Sequence, residues 1–300
     1  MDSGHTRLDV GVISAGRAGS VLGAALAAAG HRVVAVSAVS EASRDRAEAL
    51  LPDAQILPPP EVAARANLLL LAVPDDALAE LVAGLANTGA IAPGTFVAHT
   101  SGRYGIAILA PATQAGALPL ALHPAMTFTG TSLDLGRLAG ACFGVTAPEA
   151  LRPVAEALVV EMGAEPQWVA EEARVLYHAA LAHGSNHLVT LIAQSMDVLR
   201  AAGVAQPERL LRPLVTAAAD NTLRVGDAAL TGPVARGDAR TVRAHVQALS
   251  AHEPGTAAAY VALARATADR ALADRRLRPG DAEELLGALA TSAEIGGELQ

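Results

Sequence analysis

Residues 8–40, LDVGVISAGRAGSVLGAALAAAGHRVVAVSAVS, contain the pattern that decides the fold. An apolar run at 10–13 precedes a glycine-containing turn at 14–19. An alanine-rich segment at 20–29 follows, and Gly30 separates it from a second apolar run at 32–36. Strand, tight turn, helix and strand in this order are typical of a βαβ unit. The stretch therefore predicts the start of a parallel α/β sheet.

The turn of this unit follows the G-x-G-x-x-G pattern of dinucleotide-binding proteins, with serine at the first glycine position. In that pattern the second glycine lets the backbone approach a pyrophosphate, and the third lets the helix pack closely on the strand. The free N–H groups and the positive dipole at the helix start attract phosphate. The predicted cofactor-binding residues here are Ser14, Ala15, Gly16, Arg17, Ala18 and Gly19. A turn of another α/β fold, without a ligand, is the alternative.

Composition limits the class of protein. A chain of 300 residues with 52% hydrophobic content is expected to form two domains. Its net charge of −8 argues against nucleic acid or an anionic membrane as a partner, and no apolar run reaches the length of a membrane span. Cys142 is the only cysteine, which fits a reducing cytoplasm. The sequence contains no lysine, so chemistry that needs a lysine is excluded.

The segment after the second strand bears on the cofactor. NAD enzymes place an acid there to bind the ribose hydroxyls, whereas this chain has Ser37 and Ser40, followed by Arg44 and Arg46. Hydroxyl groups with a nearby arginine suit a 2′-phosphate, so NADP is predicted, with Ser37, Ser40 and Arg44 among its ligands. Two alternatives stay open: the arginines only line a solvated helix face, or Glu41 supports NAD.

Further strands are predicted at 66–74, 94–98, 118–122, 141–145 and 165–169, with a helix at 148–162. Val73 and Pro74 follow the first of these strands and Thr100 follows the second, so all three are predicted beside the nicotinamide end of the cofactor. The fold class is thus α/β: a doubly wound dinucleotide-binding sheet in residues 1–168, followed by an all-α domain in residues 169–300.

Two histidines at strand ends are the candidate proton donors, His99 and His123. Reduction of a carbonyl or imine needs a proton donor with a pKa near neutrality, and histidine is the obvious one in a chain without lysine. Ser101 is predicted to orient the substrate. The alternative for each histidine is a structural role, in which its ring binds backbone carbonyls.

From residue 171 onward the pattern is helical, with breaks at 203–207, 226–237 and 279–280. The long helix predicted at 171–202 is mostly apolar all round and is therefore expected to be buried between domains or subunits. It carries Tyr177, His178, His183, Asn186 and His187. Of these, His183 and Asn186 are predicted to face the substrate, with helix–helix packing as the alternative role for Asn186. His183 and His187 lie one turn apart, but no third ligand accompanies them, so no metal site is predicted.

The segment at 230–238 precedes another helix, for which Asp238 is the predicted N-cap. Arg236 in this segment is predicted to bind a substrate carboxylate through two parallel hydrogen bonds. An interface ion pair is the alternative role for this arginine.

Six segments carry a family resemblance: SAGRAG (14–19), LAVPDDAL (71–78), HTSG (99–102), LHPAMTF (122–128), YHAALAHGSN (177–186) and ALTGPVARGDARTVRAH (229–245). Together they resemble a bacterial family with a Rossmann-like domain followed by a helical domain of unknown function. That family is similar to pyrroline-carboxylate reductase, ketopantoate reductase and the phosphogluconate dehydrogenase-like group. The resemblance implies an NADP-binding sheet domain, a substrate cleft between the domains and a helical domain that forms a homodimer.

The lysine that ketopantoate reductases and hydroxyacid dehydrogenases use on the interdomain helix is absent here, so their mechanism does not transfer. The sequence predicts a cytoplasmic NADP-dependent oxidoreductase that acts on a small keto or imino acid, with histidine as the proton donor. A non-catalytic Rossmann module that binds or senses a nucleotide is the alternative.

Overall fold

The computed structural model describes residues 7–290, which form two compact units that divide between Gly184 and Ser185. This division lies later than residue 168, where the sequence predicts the domain boundary. The reason is that the first turns of the long helix beginning at Arg174 bond to the sheet.

The first unit is built on one eight-stranded sheet in the order β3-β2-β1-β4-β5-β6-β7-β8. Neighbouring strands are parallel except for the antiparallel pair β6 and β7. This arrangement confirms the predicted fold class. The strands are β1 (Asp9–Ile13), β2 (Arg32–Ser37), β3 (Gln55–Ile56), β4 (Leu68–Leu71), β5 (Phe96–His99), β6 (Leu118–Pro124), β7 (Cys142–Thr146) and β8 (Glu165–Trp168).

Seven α-helices connect these strands. They are α1 (Arg17–Ala28), α2 (Glu41–Leu50), α3 (Pro59–Ala64), α4 (Asp75–Asn87), α5 (Ala110–Gln114), α6 (Leu133–Leu138) and α7 (Arg152–Glu161), with 3₁₀ turns at Ile106–Leu109, Glu149–Leu151 and Glu171–Ala173. Helix α1 begins three residues earlier than predicted because Gly16 already has the extended backbone of an N-cap.

The sheet is buried on both faces, which explains why its central strands are apolar throughout. In β4, Leu68 and Leu70 join a core cluster with side chains of α1 and α7, while Leu69 and Leu71 join a second cluster with side chains of α4. Successive side chains of a strand point to opposite faces, so an unbroken apolar run is what a doubly covered strand requires.

Strand register determines which loops meet at the edge of the sheet. Ile13 pairs with Ser37 and Leu71, Leu71 pairs with His99, and His99 pairs with Ala121. The glycine turn and the loops after β2, β4 and β5 therefore emerge at one edge, together with the end of β6. Carboxyl ends of parallel strands at such an edge are the usual ligand position in α/β folds.

The second unit is helical, and residues 185–290 contain no strand, as predicted. The long helix α8 (Arg174–Ala201) runs into it, followed by α9 (Pro207–Val225), α10 (Ala239–His252), α11 (Pro254–Ala273) and α12 (Pro279–Ala290). Side chains of the last three helices form its core. The carboxylate of Asp238 accepts a hydrogen bond from the Thr241 N–H at 3.0 Å, which confirms the predicted N-cap of α10. The break between α10 and α11 was not predicted, although Pro254 marks it.

Within this chain the long helix is largely exposed, and its predicted burial between subunits stays a prediction. Within α8 only Arg174 is buried, and Leu176 is 76% exposed. An all-round apolar pattern predicts burial, but burial needs packing partners, and within this single chain the side chains of α8 after Arg174 are half-buried or exposed. None of the helices between residues 7 and 290 is long and apolar enough to cross a membrane.

Candidate active site

The turn after β1 accommodates a serine where the motif has glycine. Ser14 has a φ of +81°, a conformation that side chains with a Cβ rarely adopt. Its N–H donates to the Ser37 Oγ at 2.9 Å, and the Ala15 N–H donates to the Ser37 carbonyl oxygen at 2.8 Å. These bonds from the end of β2 hold the turn in the strained conformation, which gives Ser37 a structural task at this site.

The two glycines of the turn have different roles. A Cβ on Gly19 would lie 2.1 Å from the Ser14 carbonyl oxygen and 2.8 Å from the Ala72 Cβ, so only glycine lets α1 pack this closely. A Cβ on Gly16 would meet nothing closer than 3.4 Å. Gly16 leaves the start of α1 without a side-chain cap, and the first amide groups of the helix lack intrahelical acceptors. This cradle fits an anionic diphosphate.

The residues after β2 are arranged differently from the prediction. The Ser40 Oγ accepts the Ser43 N–H at 3.2 Å and so caps α2. Arg44 is exposed. Arg46, in contrast, is half-buried, and its Nε donates to the Ala15 carbonyl oxygen at 3.1 Å. Of the two arginines, Arg46 is therefore the one that contacts the turn.

The loops after β4 and β5 continue the same edge of the sheet. The Ala72 N–H donates to the Ile13 carbonyl oxygen, and the Thr100 N–H donates to the Leu71 carbonyl oxygen at 3.1 Å. Pro74 is the N-cap of α4, with Val73 directly before it. The structure thus brings the loops that carry Val73, Pro74 and Thr100 to the side of the sheet where the glycine turn lies.

His99 is fully buried and both of its ring nitrogens are hydrogen-bonded. The Ser101 N–H donates to Nδ1 at 3.2 Å, so Nε2 carries the proton and donates to the Gly105 carbonyl oxygen at 2.8 Å. Burial lowers the pKa of His99 to about 4. The neutral ring therefore stabilises the loop after β5. In the same loop, the Oγ of the buried Ser101 accepts a hydrogen bond from the Tyr104 N–H.

His123 lies at the end of β6 and is only partly buried. Its Nδ1 is 2.9 Å from the Tyr177 Oη on α8, and the His178 ring meets it edge-on with 5.8 Å between ring centroids. Burial, together with the neighbouring His178 and Arg174, lowers the pKa of His123 to about 4. A Cβ on Gly102 would lie 2.9 Å from His123 Nε2, so only glycine lets the loop after β5 approach this nitrogen so closely.

Behind this pair lies a buried guanidinium that sequence reasoning did not single out. Arg174 is 1% exposed; its Nε donates to the Thr146 Oγ1 at 2.8 Å, and Nη2 donates to the carbonyl oxygens of Ala121 and Gly144 at 3.1 Å each. Its Nη1 is buried and has no hydrogen-bond partner among residues 7–290. The guanidinium lies 5.8 Å from the centre of the Tyr177 ring.

Tyr177 is positioned by the glycine opposite His123 in the sheet. His123 pairs with Gly144, and a Cβ at Gly144 would lie 2.4 Å from the Tyr177 Oη. Burial raises the pKa of Tyr177, while Arg174 opposes that change. The phenol therefore keeps its proton at neutral pH, beside a cation that favours its loss. The sequence signal for this cluster was an arginine and an aromatic residue three positions apart at the start of the long helix.

Glu171 joins the start of α8 to the His99 loop. Its two carboxylate oxygens accept the N–H groups of Ile106 and Ala107 at 2.7 and 3.0 Å. A Cβ on Gly105 would overlap this carboxylate, and the Gly105 carbonyl oxygen is the acceptor for His99. The loop after β5 is thereby fixed from both sides.

Three other predicted site residues are not part of this cluster. His183 is exposed on α8, and Asn186 and Arg236 are exposed residues of the second unit. Within residues 7–290, no group of three or more histidine, cysteine, aspartate or glutamate side chains is placed to hold a metal ion.

The parallel sheet, the glycine turn and the open start of α1 define a Rossmann-like domain, and the family profile of that description matches residues 2–124. Residues 141–267 match a second profile, described as a domain of unknown function (DUF2520). The chain therefore combines a Rossmann-like domain with a DUF2520 domain, as the sequence resemblance implied.

Solved structures of low sequence identity share this fold. A Bacteroides fragilis protein carried under the provisional name NADP oxidoreductase is 22% identical, with a TM-score of 0.72 over 88% of this chain and 98% of its own. A Thermotoga maritima protein is 21% identical (TM-score 0.66; 89% and 99% covered). An imine reductase from Myxococcus stipitatus in complex with NADP⁺ is 17% identical (TM-score 0.63; 87% and 94% covered). A search of curated proteins found no match.

Proposed function

We propose that this protein is an NADP-dependent oxidoreductase that reduces a small keto or imino acid in the cytoplasm. One observation carries the proposal: the cradle at Gly16 follows β1 and the His123–Tyr177 pair lies at the end of β6, and both strands end at the same edge of one sheet, with β4 and β5 between them. The imine reductase of similar fold, bound to NADP⁺, supports this class of chemistry.

The cofactor, when bound, supplies the hydride. The protein must then provide a proton to the substrate nitrogen or oxygen. With a pKa of about 4, His123 is a neutral imidazole at neutral pH. The donor in the resting protein is therefore proposed to be the neutral imidazole and not a charged imidazolium.

The bond between His123 and Tyr177 offers a route that needs no charged imidazole. The Nε2–H of His123 passes to the substrate atom, and the Tyr177 hydroxyl passes its proton to Nδ1 across 2.9 Å. The imidazole ends neutral, and the tyrosine becomes a phenolate beside the Arg174 guanidinium. Solvent then restores the phenolic proton. His99, with both nitrogens bonded, positions the loop instead of donating the proton.

The remaining predicted residues stay proposals. Asn186, His183 and Arg236 are proposed to hold the substrate, and Ser101 to shape its loop. The exposed apolar residues of α8, among them Leu176, support the proposal that the protein forms a homodimer.

The test begins with calorimetry of the full chain with NADPH and NADH, followed by NADPH oxidation with a panel of small keto acids and cyclic imines. His123→Asn and Tyr177→Phe are expected to bind NADPH as the wild type does and to lose about a hundredfold or more in kcat. His252→Asn, at an exposed position of α10, is the matched control and should keep full activity.

The outcomes separate the candidate functions. Tight NADPH binding without turnover on any compound would favour a nucleotide-binding module. Absence of any heat with either dinucleotide would overturn the proposal altogether. Turnover that survives in His123→Asn would place the chemistry elsewhere.

A further inference from the structure

Two arginine side chains converge beside the glycine turn. An ideal Cβ on Gly130 would lie 2.9 Å from the Arg17 Cγ and 3.0 Å from the Arg46 Cδ, so both side chains pass the same point. Arg17 is the first residue of α1, and Arg46 belongs to α2, which follows the end of β2. The pair therefore spans from the phosphate cradle to the strand end where a dinucleotide places its adenosine ribose.

The loop that carries Gly130 is held in place by a buried carboxylate. Asp134 is fully buried, and its Oδ2 accepts the N–H groups of Thr129 and Gly130 at 2.7 and 2.8 Å. Burial raises the pKa of Asp134, but these bonds outweigh burial and the net pKa is lowered. Gly130 itself has a φ of +82°, which favours glycine. The Asp134 carboxylate thus holds the Gly130 loop in a fixed position, and the loop packs against the side chains of both arginines.

The Asp134 carboxylate interacts with its own loop and with Arg137: the distance from Arg137 Nη1 to Asp134 Oδ1 is 3.3 Å. Within residues 7–290, neither Arg17 nor Arg46 has an ion pair with a carboxylate. Arg46 uses Nε to bind the Ala15 carbonyl oxygen, which orients the guanidinium and leaves both Nη groups for a ligand. Two neighbouring cations without an acidic partner suit a phosphate dianion; Arg46 is oriented by its hydrogen bond, and Arg17 is exposed.

We propose that Arg17 and Arg46, held by the Gly130 loop, bind the 2′-phosphate of NADP and set the preference for NADP over NAD. This inference rests on the proposed function, and it assigns to Arg46 the role that the sequence suggested for Arg44. Arg44 lies two positions away on the same helix and is exposed, so it provides a matched control.

The experiment compares dissociation constants of NADPH and NADH for the wild type and for Arg17→Gln, Arg46→Gln and Arg44→Gln. Arg17→Gln and Arg46→Gln are each expected to weaken the affinity for NADPH by about tenfold or more, equal to about 1.4 kcal/mol. The reason is that each removes charge-assisted hydrogen bonds to the phosphate. NADH affinity should stay within about twofold, since NADH lacks the phosphate that the arginines bind. Arg44→Gln should match the wild type for both ligands.

A second pair of ligands checks the source of the effect. Adenosine 2′,5′-bisphosphate, which carries the 2′-phosphate, should follow NADPH across the variants, and adenosine 5′-monophosphate should follow NADH. Gly130→Ala, which pushes on both arginines, should also weaken NADPH selectively.

Each result decides between the possibilities. The proposed role of Arg17 and Arg46 is overturned if the wild type binds NADPH and NADH equally, or if both substitutions weaken the affinity for the two dinucleotides alike. Dinucleotide binding itself would still stand. If the wild type binds neither dinucleotide, the proposed function fails, and the proposed role of Arg17 and Arg46 fails with it. Among residues 7–290 the Arg17 side chain has no hydrogen bond, so Arg17→Gln keeps the test valid even if Arg46→Gln disturbs the Ala15 carbonyl.

Discussion

Acidification should destabilise the sheet unit through His99. An unperturbed histidine has a pKa of 6.5, whereas burial lowers the pKa of His99 to about 4 in the folded protein. Between these values the unfolded chain binds a proton that the folded protein does not. The contribution of His99 to the free energy of unfolding is therefore fully present above pH 6.5. It decreases as the pH falls through this window, and it changes no further below about pH 4.

The size of the effect follows from the two pKa values. A folded pKa of about 4 against 6.5 corresponds to about 3.4 kcal/mol once the titration is complete. At about pH 5 the loss from His99 amounts to about 2 kcal/mol relative to about pH 8. His123 acts in the same direction, with a smaller contribution because its ring is partly exposed.

The assay is urea denaturation at about pH 8 and about pH 5, monitored by the fluorescence of Trp168. This single tryptophan belongs to β8, so it reports on the sheet unit. The variant His99→Asn keeps an acceptor for the Ser101 N–H and loses the donor to Gly105. We expect it to be about 1 kcal/mol less stable than the wild type at about pH 8, but to lose about 2 kcal/mol less on acidification.

His252→Asn is the control, because it removes an exposed histidine and should keep the pH dependence of the wild type. Equal losses on acidification in the wild type and in His99→Asn would refute the reasoning. That result would mean that His99 titrates normally, and it would return His99 to the candidates for the proton donor.

Three further outcomes are expected. Gly19→Ala should abolish dinucleotide binding and lower the melting temperature because its Cβ overlaps a backbone oxygen, while Gly16→Ala should melt close to the wild type in the same thermal scan; equal melting would contradict the packing argument. Gly144→Ala should displace Tyr177 and lower kcat with NADPH affinity unchanged in steady-state and binding measurements, and an unaltered kcat would speak against a role for the phenol. Sedimentation velocity should show a dimer that covers the exposed apolar residues of α8, and a monomer at all concentrations would rule this out.

Much of the dinucleotide cradle was predictable because its determinants are local. The turn at 14–19 lies between an apolar strand and a small-residue helix, and glycine placement alone shows where backbone atoms must come close. The strands around it follow from apolar runs, since a strand buried on both faces has no polar positions. Asp238 was found in the same way, from a capping residue directly before a helix.

The choice between Arg44 and Arg46 shows where local reasoning ends. Residues two apart on a helix point in nearly opposite directions, so only one can face the turn. The buried Ser43 and Ala47, one turn apart, mark the inner face of α2, and Arg46 lies beside Ala47. That small-residue stripe was a usable signal, but it identifies a face only once the neighbour of the helix is known.

The sequence by itself determined the βαβ start, the glycine turn, the change to helices after residue 171 and the absence of lysine chemistry. Tertiary structure alone decided the chemical cluster, because His123 and Tyr177 are 54 residues apart and Arg174 bonds to strands formed 30 and 53 residues earlier. Burial of these groups, and hence the pKa values that keep the rings of His99 and His123 neutral, depends on everything that surrounds them. Such surroundings are assembled from distant parts of the chain, and no local pattern records them.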